Sequence, residues 1–262
     1  MTESYQRDYS KLAPIILDRG YKAPKVGKML SILRAAGVLS TTERQALAVD
    51  VGSSSGIFAQ ALGCGFDSVL AFDIDLGALR DGRAHSVANV HPVLADSQQL
   101  PLPDASVDLV VCNHVYEHVP DALRLFDEIH RVLREGGTCY FGAASRLCVV
   151  EPHYKLPFLS WLPKWLADRY MRWAGRGARY YENLRTPWGI RRLTLGFRCD
   201  DYTIAVLRDP EKFSARDMIR KGSWIERVPA RIWRFAYFLL PSYILLLTKN
   251  GPRFTSTGNK VR

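Results

Sequence analysis

The sequence predicts an α/β fold built around a largely parallel sheet. Short, fully apolar runs alternate with amphipathic stretches through the first half of the chain, and turns of small residues separate them. Fully apolar runs are typical of strands buried on both faces of a sheet, and such alternation implies right-handed crossovers between parallel strands. A chain of 262 residues with 47% hydrophobic content is large enough to bury this core.

A strand, a turn of small residues and a helix are predicted at the start of the sheet. Residues 46–49 are apolar, residues 52–56 read Gly-Ser-Ser-Ser-Gly, and residues 57–62 are mostly apolar again. A helix that begins directly after such a turn points free backbone N–H groups at whatever lies over its N-terminus. The segment therefore predicts a ligand-binding turn, although glycine turns are also ordinary connections in α/β folds.

The spacing of the glycines and of a later acid narrows the ligand class. A dinucleotide fingerprint that begins at Gly52 needs glycine at positions 54 and 57, where the chain has Ser54 and Ile57. The shorter pattern G-x-G-x-G finds glycine at its outer positions, Gly52 and Gly56. Asp73 ends a second apolar run 17 residues after Gly56, near the spacing of an acid that binds ribose hydroxyls.

Further strands and a helix follow in order. Residues 93–97 predict a third strand that contains an acid, and residues 107–113 predict a fourth, nearly all-apolar strand. Asp121 is a good N-cap for a helix whose apolar positions follow the 3.6-residue period. Glycines 136–137 predict its end, and residues 138–141 predict the next strand.

The second half predicts the remaining core elements. We expect a helix over residues 187–197, a sixth strand over 203–207 and an antiparallel closing strand over 242–249. The apolar run 232–248 resembles a membrane span, but it is broken by an arginine and by Pro241 and is shorter than the roughly 20 residues a span requires. A helix followed by the closing strand is the better interpretation.

Charge divides the chain into two halves of different character. Residues 1–150 carry 14 Lys and Arg against 17 Asp and Glu, whereas residues 151–262 carry 22 against 9. The five cysteines form no Cys-x-x-Cys pair, and the first 20 residues contain acids and no apolar leader core. We expect a cytoplasmic protein, with a peripheral position on the inner membrane surface as one interpretation of its basic half. All the tryptophans lie in that half: Trp161, Trp165, Trp173, Trp188, Trp224 and Trp233.

Five motifs in a fixed order carry a family resemblance. They are V-D-V-G-S-S-S-G, V-L-A-F-D, A-D-S-x-x-L-P-L-P-D-A-S-V-D-L-V, Y-E-H-V and E-I-H-R-V-L-R-E-G-G, and they cover residues 46 to about 143. This series resembles the class I S-adenosylmethionine-dependent methyltransferases, and most closely their type 11 branch. The resemblance implies a Rossmann-like seven-stranded methyltransferase sheet with helical insertions in the C-terminal half, and S-adenosyl-L-methionine as the cofactor.

The resemblance also implies a role for each matching residue. The turn would hold the donor's amino acid end, Asp73 the ribose hydroxyls and Asp96 the adenine amine, and the end of the fourth strand would lie near the sulfonium. Ser54 stands where the family usually has glycine, but serine is small and can bond a carboxylate, so we expect binding to survive. The implied donor-binding residues are Asp50, Gly52, Ser54, Gly56, Asp73, Asp96, Ser97, Asn113 and His114.

Methyl transfer needs orientation more than acid–base chemistry, because the donor carries its own leaving group. The sequence predicts no metal site and no catalytic triad. His153, which follows the fifth strand, is a candidate catalytic base or acceptor-orienting residue because imidazole titrates near neutrality. A loop histidine that only packs is an equal interpretation. Tyr9, Tyr21 and Lys22 are candidates to close the site from the other side, and His118 is expected to be structural.

The predicted organisation has a core interrupted twice. Residues 1–45 form an N-terminal helical segment, and residues 46–146 and 186–249 form the methyltransferase core. Residues 147–185 form an aromatic and basic lid insertion. Within the core, residues 209–240 form a second basic amphipathic insertion, and residues 250–262 form a tail.

The composition of the lid and His153 together suggest methyl transfer to oxygen of a small or lipid-linked acceptor, such as a glycolipid or saccharide, at a membrane surface. The mixture of cationic and aromatic side chains in the second half suits binding to an anionic membrane surface. It also suits a lid whose aromatic side chains pack on the core. Nucleic acid is the least favoured partner, because no RNA-binding module accompanies the basic residues. Alternatives are C-methylation of a quinone-like lipid and a non-catalytic S-adenosylmethionine-binding or scaffold protein.

Overall fold

Seven strands form one mixed sheet in the part of the chain that the structure describes. This computed structural model describes residues 7–40, 42–83, 85 and 87–251. Residues 1–6 of the predicted N-terminal segment and 252–262 of the predicted tail lie outside this part. The strands are β1 Gln45–Val51, β2 Phe66–Asp73, β3 Val90–Leu94, β4 Val107–Asn113, β5 Leu133–Ala144, β6 Phe197–Asp201 and β7 Ser242–Lys249.

Helices connect these strands and cover both faces of the sheet. They are α1 Tyr9–Leu12, α2 Arg19–Ala35, α3 Ile57–Leu62, α4 Leu76–Arg83, α5 Ala122–Val132, α6 Lys164–Trp173, α7 Pro187–Leu193, α8 Thr203–Arg208 and α9 Ala230–Phe235. Short 3-10 turns lie at Pro14–Leu17, Leu159–Trp161, Trp224–Arg227 and Tyr237–Leu239.

The strand order creates a crevice at one edge of the sheet. The order is β3-β2-β1-β4-β5-β7-β6, with β7 antiparallel to both β5 and β6 and the remaining neighbours parallel. The chain runs outward in one direction from β1 to β3 and in the other from β4, so the order reverses between β1 and β4. Ligands of open α/β sheets bind outside the carboxyl ends of the strands at such a reversal. The predicted seven-stranded Rossmann-like fold is confirmed.

The helices bury the faces that their periodicity predicts. Asp121 caps α5 by accepting hydrogen bonds from the backbone N–H groups of Leu123 (2.9 Å) and Arg124 (3.2 Å). Phe126 and Ile129 of α5 are fully buried against one face of the sheet. On the opposite face, the α2 side chains Met29, Ile32 and Leu33 are equally buried. The sheet is therefore covered on both sides, which explains its nearly continuous apolar strands.

The prediction of a strand at residues 203–207 is wrong. These residues form α8, and the sixth strand is β6, which pairs with β7. Asp201 ends that strand, and its carboxylate accepts a hydrogen bond from the backbone N–H of Thr203 at 2.8 Å. Val206 then packs into the core on the α2 face. A short apolar run fits either a strand or a buried helix, and tertiary packing decided between them here.

The segment 147–185 has a small apolar cluster of its own. Leu159, Ala167 and Met171 are fully buried in it, and Tyr180 packs beside them. Helix α7 begins at Pro187 as predicted, but ends at Leu193, before the predicted end at residue 197. No helix in the described part of the chain is long and apolar enough to cross a membrane. The closing strand and the preceding helix of the run 232–248 are separate elements.

Candidate functional site

A large cavity lies where the carboxyl ends of β1, β2 and β4 meet. Its volume is about 680 Å³. Gly56 is the one predicted site residue that does not line it, and lies instead in a narrow crevice behind the turn, with Ser55 and Ala71. The predicted residues that line the cavity are Asp50, Gly52, Ser54, Asp73, Asp96, Ser97, Asn113, His114 and His153.

The turn after β1 requires glycine at its first position. Gly52 has a φ of +64°, and a Cβ built on it would lie 2.6 Å from Cγ2 of Val115. Ser54 also adopts a left-handed conformation, with a φ of +53°, as glycine would. The hydroxyl oxygens of Ser53, Ser54 and Ser55 are buried and have no hydrogen-bond partner among the described residues. Ser53 and Ser54 line the cavity, so their hydroxyls are available to a polar ligand there, whereas Ser55 lies in the crevice behind the turn.

Asp73 joins the end of β2 to this turn. One carboxylate oxygen accepts from the backbone N–H of Ser54 at 2.6 Å, and the other accepts from the N–H of Asp75 at 2.8 Å. Burial raises the pKa of Asp73 above its ordinary value, against the effect of these hydrogen bonds. Each oxygen retains a lone pair, so the carboxylate can also accept from a ligand.

Asp50 is a buried acid that faces a buried lysine of α2. Its Oδ2 accepts from the backbone N–H of Ala59 at 3.2 Å. Burial raises the pKa of Asp50 to about 7, while the charge of Lys22 opposes the rise. Burial also lowers the pKa of Lys22 to about 8, against the charges of Asp50 and Asp73. A cationic ligand group at this end of the cavity would lower the pKa of Asp50 further and favour its ionised form.

Asp96 lies in the loop after β3 with its carboxylate partly engaged. Oδ1 accepts from the backbone N–H of Gln98 at 2.8 Å, and the Gln98 side-chain amide donates to both oxygens. The Gln98 side-chain oxygen Oε1 in turn accepts from the backbone N–H of Asp121 at 2.9 Å. Asp96 therefore forms a turn, and it also lines the cavity beside Ser97. The geometry of Asp96 therefore fits a structural role in the turn and also a role in binding a ligand in the cavity.

The end of β4 brings Asn113 and His114 to the cavity floor. The backbone N–H of His114 donates to the carbonyl of Gly142 on β5 at 2.9 Å, and His114 has a φ of +58°. A side chain at Gly142 would overlap the Asn113 side-chain oxygen, so glycine leaves the room that Asn113 occupies. The His114 ring contacts Glu117, with 3.1 Å between Nδ1 and Oε1.

The N-terminal segment closes one side of the cavity. The backbone N–H of Ser10 donates to Asp75 Oδ2 at 2.7 Å, which holds α1 over the end of β2. The ring of Tyr9 lies against that of His118, with 5.0 Å between centroids. The other predicted closing residues, Tyr21 and Lys22, also line the cavity.

His153 also lines the cavity, and a buried acid holds its ring. Both oxygens of Glu151 are used: Oε1 lies 2.7 Å from His153 Nδ1, and Oε2 accepts from the His153 backbone N–H at 2.7 Å. Burial lowers the pKa of His153, but the hydrogen bond and charge of Glu151 outweigh it and the pKa is raised overall. The pairing leaves Nε2 as the ring nitrogen available to other groups.

The junction after β4 holds Glu117, to which the sequence analysis gave no role, and His118, which it expected to be structural. Glu117 is fully buried. Burial alone would raise its pKa, but the hydrogen bond and charge of His114 lower it overall. His118 lines the cavity, and burial lowers its pKa to about 4, so its ring is neutral at physiological pH. The rings of His118 and His153 lie 5.2 Å apart. The spacing H-x-x-E-H in the sequence was the available signal for this cluster.

Comparisons with known proteins identify the central part of the chain. Residues 49–141 match the family model described as a methyltransferase domain. The chain is 29% identical over 145 residues to a malonyl-[acyl-carrier protein] O-methyltransferase from Marinomonas sp. (strain MWYL1), a match that covers 55% of this chain and 49% of that protein. The chain thus spans about half the length of this curated relative.

Solved structures share the whole fold at low identity. The PH0226 protein from Pyrococcus horikoshii OT3 superposes with a TM-score of 0.61 at 16% identity, covering 93% of this chain and 99% of that one. Phosphoethanolamine N-methyltransferase 2 from Haemonchus contortus, solved with phosphomonomethylethanolamine and S-adenosylhomocysteine, has a TM-score of 0.51 at 16% identity, covering 86% and 52%. These likenesses establish the fold.

Proposed function

We propose that this chain, which carries a class I S-adenosylmethionine-dependent methyltransferase domain, transfers a methyl group to oxygen of a small or lipid-linked acceptor such as a glycolipid or saccharide. One observation carries the proposal. The same 680 Å³ cavity is lined by the acids of the donor end, Asp50, Asp73 and Asp96, and by His153 across from them. Both reactants therefore fit in one enclosure, where proximity can lower the barrier by roughly 7–11 kcal/mol.

The residues of the donor end fit S-adenosylmethionine. The unpartnered hydroxyls of Ser53 and Ser54 suit its carboxylate, and Asp50 suits its ammonium group. Asp73 retains lone pairs for ribose hydroxyls. When bound, this cofactor supplies a methyl group activated on a sulfonium. The chain's task is to hold the donor, to exclude water and to direct an acceptor oxygen along the S–CH₃ axis.

The remaining wall suits an amphiphilic acceptor. Ile15, Ile16 and Met218 offer apolar surface, whereas Lys25 and Lys155 offer positive charge. Two segments that are distant in sequence meet in this wall, where the Lys28 ammonium group on α2 donates a hydrogen bond to Asp217 at 3.1 Å. A sugar or phosphate head with an apolar portion would satisfy both kinds of surface. His153, whose ring orientation is set by Glu151, is the proposed acceptor-orienting residue.

The outer surface favours a peripheral position on an anionic membrane. Trp173 is 85% exposed and Phe235 is 84% exposed, far above what a lid packed on the core would leave. Arginines that flank them, such as Arg172 and Arg234, are exposed too. Exposed rings interleaved with cations suit the headgroup region of a bilayer. A lipid-linked acceptor would be reached from this position.

A second candidate acceptor is a carboxylate. The lysines around the cavity, Lys22, Lys25, Lys28 and Lys155, would attract an acid. The Marinomonas relative is named a malonyl-[acyl-carrier protein] O-methyltransferase, and an acceptor of that kind would bring a carboxylate to the site. Such an acceptor has no proton to lose on methylation, so it would depend less on groups near His153.

Incubation with a donor labelled in its methyl group tests the function. The purified chain is mixed with lipid, soluble and macromolecular fractions of a cell extract, and the labelled product is treated with mild base. We expect label in the lipid or saccharide fraction that survives base, as an ether does. Base-labile label on an acyl carrier protein would favour the carboxylate instead. Label confined to RNA, or none in any fraction, would refute the proposal.

A further inference from the structure

We propose that Glu117, His118 and His153 bind a divalent transition-metal ion at the acceptor side of the cavity. Each offers one ligand atom, and these three atoms lie within 4.8 Å of one another. Two of the residues follow β4 and the third follows β5, so adjacent strands of the sheet bring the set together. Ligand atoms around one such ion lie roughly 3–4 Å apart, which small side-chain rotations would reach.

Glu117 supplies the first argument. Its side chain is fully buried, and Oε1 lies 3.1 Å from His114 Nδ1. The second oxygen, Oε2, is buried and has no hydrogen-bond partner among the described residues. A buried carboxylate oxygen without a partner is unfavourable, and a cation bound to it would remove that cost. The residue that carries this open oxygen belongs to the same cluster as the two imidazoles.

His153 supplies the second argument. Its Nδ1 is taken by Glu151 at 2.7 Å, so Nε2 is left as the atom for a metal. Glu151 is itself fully buried and held by the backbone N–H groups of His153 and Tyr154, each at 2.7 Å. Metal-binding histidines nearly always have their second nitrogen fixed in this way by a carboxylate, carbonyl or water. The orienting pair for His153 is thus already built.

The donor set indicates which ions fit. Two imidazoles and one carboxylate favour zinc, cobalt or iron(II) over magnesium and calcium, which prefer oxygen ligands. Three protein ligands leave at least one coordination position open, as in catalytic sites. Here that position faces the cavity, since His118 and His153 line it.

The consequence for the acceptor rests on the proposed function. A hydroxyl bound at the open position would lose its proton to solvent more readily, because a metal ion lowers the pKa of a coordinated oxygen. The O–H bond would break with its electron pair left on oxygen and its proton passed to solvent. That oxygen would then bond to the methyl carbon as the S–CH₃ bond breaks, and the electron pair of the S–CH₃ bond would stay on sulfur, which leaves as S-adenosylhomocysteine. His153 would orient the acceptor through the ion and would not itself take the proton. Metal binding can be measured without any acceptor.

Cobalt and zinc titrations test the site. The untagged full-length chain is treated with a chelator, then titrated with Co²⁺ while visible absorption is recorded, and with Zn²⁺ by calorimetry. We expect one equivalent of each, with visible bands typical of a low-coordinate cobalt site. We expect Zn²⁺ binding to weaken at least about tenfold in each of the variants Glu117→Gln, His118→Gln and His153→Gln. Glu151→Gln should weaken it by about 10–100-fold, because it removes the carboxylate charge that fixes the His153 ring.

His91→Gln is the matched control, because His91 is an exposed histidine outside the cavity. It should bind metal as the native chain does. Each variant's thermal unfolding and donor affinity are measured alongside, so that a variant that fails to fold is recognised. Weak, non-stoichiometric binding by the native chain, or equal affinity in the three ligand variants, would overturn the metal site. Tight binding without methyl transfer would leave the metal site standing and refute only the proposed function.

Discussion

The Asp73 carboxylate accepts a hydrogen bond from the backbone N–H of Ser54, with 2.6 Å between oxygen and nitrogen. This contact ties the turn after β1 to the end of β2, so the two halves of the proposed donor site are positioned together. The same contact helps to hold Ser54 in its left-handed conformation, at the position where the family resemblance implies glycine.

Substitution of Asp73 by asparagine should weaken donor binding. The variant loses the charge that would accept ribose hydroxyls, and hydrogen bonds to charged groups contribute about 1.5–3 kcal/mol, or about 10–100-fold in affinity. Calorimetric titration with S-adenosylhomocysteine measures the change. Asp67→Asn is the control, since Asp67 is an exposed acid on the same strand that pairs with Arg44. Equal affinities in the two variants would remove Asp73 from the donor site.

Alanine at Gly52 should lower the free energy of unfolding more than alanine at Gly136, although both glycines have a positive φ. Gly52→Ala must adopt a left-handed conformation and also meets Val115 at 2.6 Å, whereas Gly136→Ala, at a φ of +74°, meets no atom within 4 Å. We expect the free energy of unfolding to fall by about 1–2 kcal/mol for Gly136→Ala and by a further 1–3 kcal/mol, roughly, for Gly52→Ala. Urea denaturation measures both, and similar losses would contradict the clash.

Donor affinity should rise with pH between about 6 and 8. Burial raises the pKa of Asp50 to about 7, Lys22 opposes this rise and Asp73 adds to it. The protonated form dominates below that value and cannot pair with the donor's ammonium group, so ionisation should strengthen binding about tenfold over this range. Titrations at several pH values measure the slope. Asp50→Asn should bind weakly with little slope, and an unchanged slope would assign it to another group.

The same shift makes the stability of the donor-free chain depend on pH. The folded pKa of Asp50 lies above its ordinary value of 3.8, so its contribution is fully present below about pH 4 and lost as pH rises through 7. Over this window the unfolding free energy should fall by about 2–4 kcal/mol more in the native chain than in Asp50→Asn. Lys22 adds no slope there, because it is charged in both states. Parallel curves for the two proteins would show that Asp50 titrates normally.

Reversal of two surface charges should release the chain from anionic vesicles. Arg231 and Arg234 flank exposed Ile232 and precede Phe235. Each basic residue near the surface contributes about 1 kcal/mol, so Arg231→Glu with Arg234→Glu should lower vesicle partitioning at least about 30-fold. Arg80→Glu with Arg83→Glu makes the same charge change on exposed residues of α4 and is the control. Vesicle sedimentation that is equal for both pairs would argue against this surface.

The sequence by itself determined the framework of the site. Buried parallel strands have a local signature, and their carboxyl ends meet at one edge. This pattern and the spacing of Asp73, together with the family resemblance for Asp50 and Asp96, placed the three acids at one predicted site. The start of the helix capped by Asp121 and the closing strand were also predicted, because capping and periodicity depend on neighbours in sequence. The predicted end of that helix is wrong: α5 ends at Val132, and glycines 136–137 lie inside β5, which begins at Leu133.

Only the tertiary structure decided the rest. Residues 203–208 are compatible with a strand or a helix locally, and the pairing of β6 with β7 left them to form α8. Glu117 and His118 are more than 30 residues from His153 in sequence. They come together because β4 and β5 are neighbours and their following loops share one edge of the sheet. Contacts between distant segments depend on packing of the whole core, which no local pattern of residues encodes.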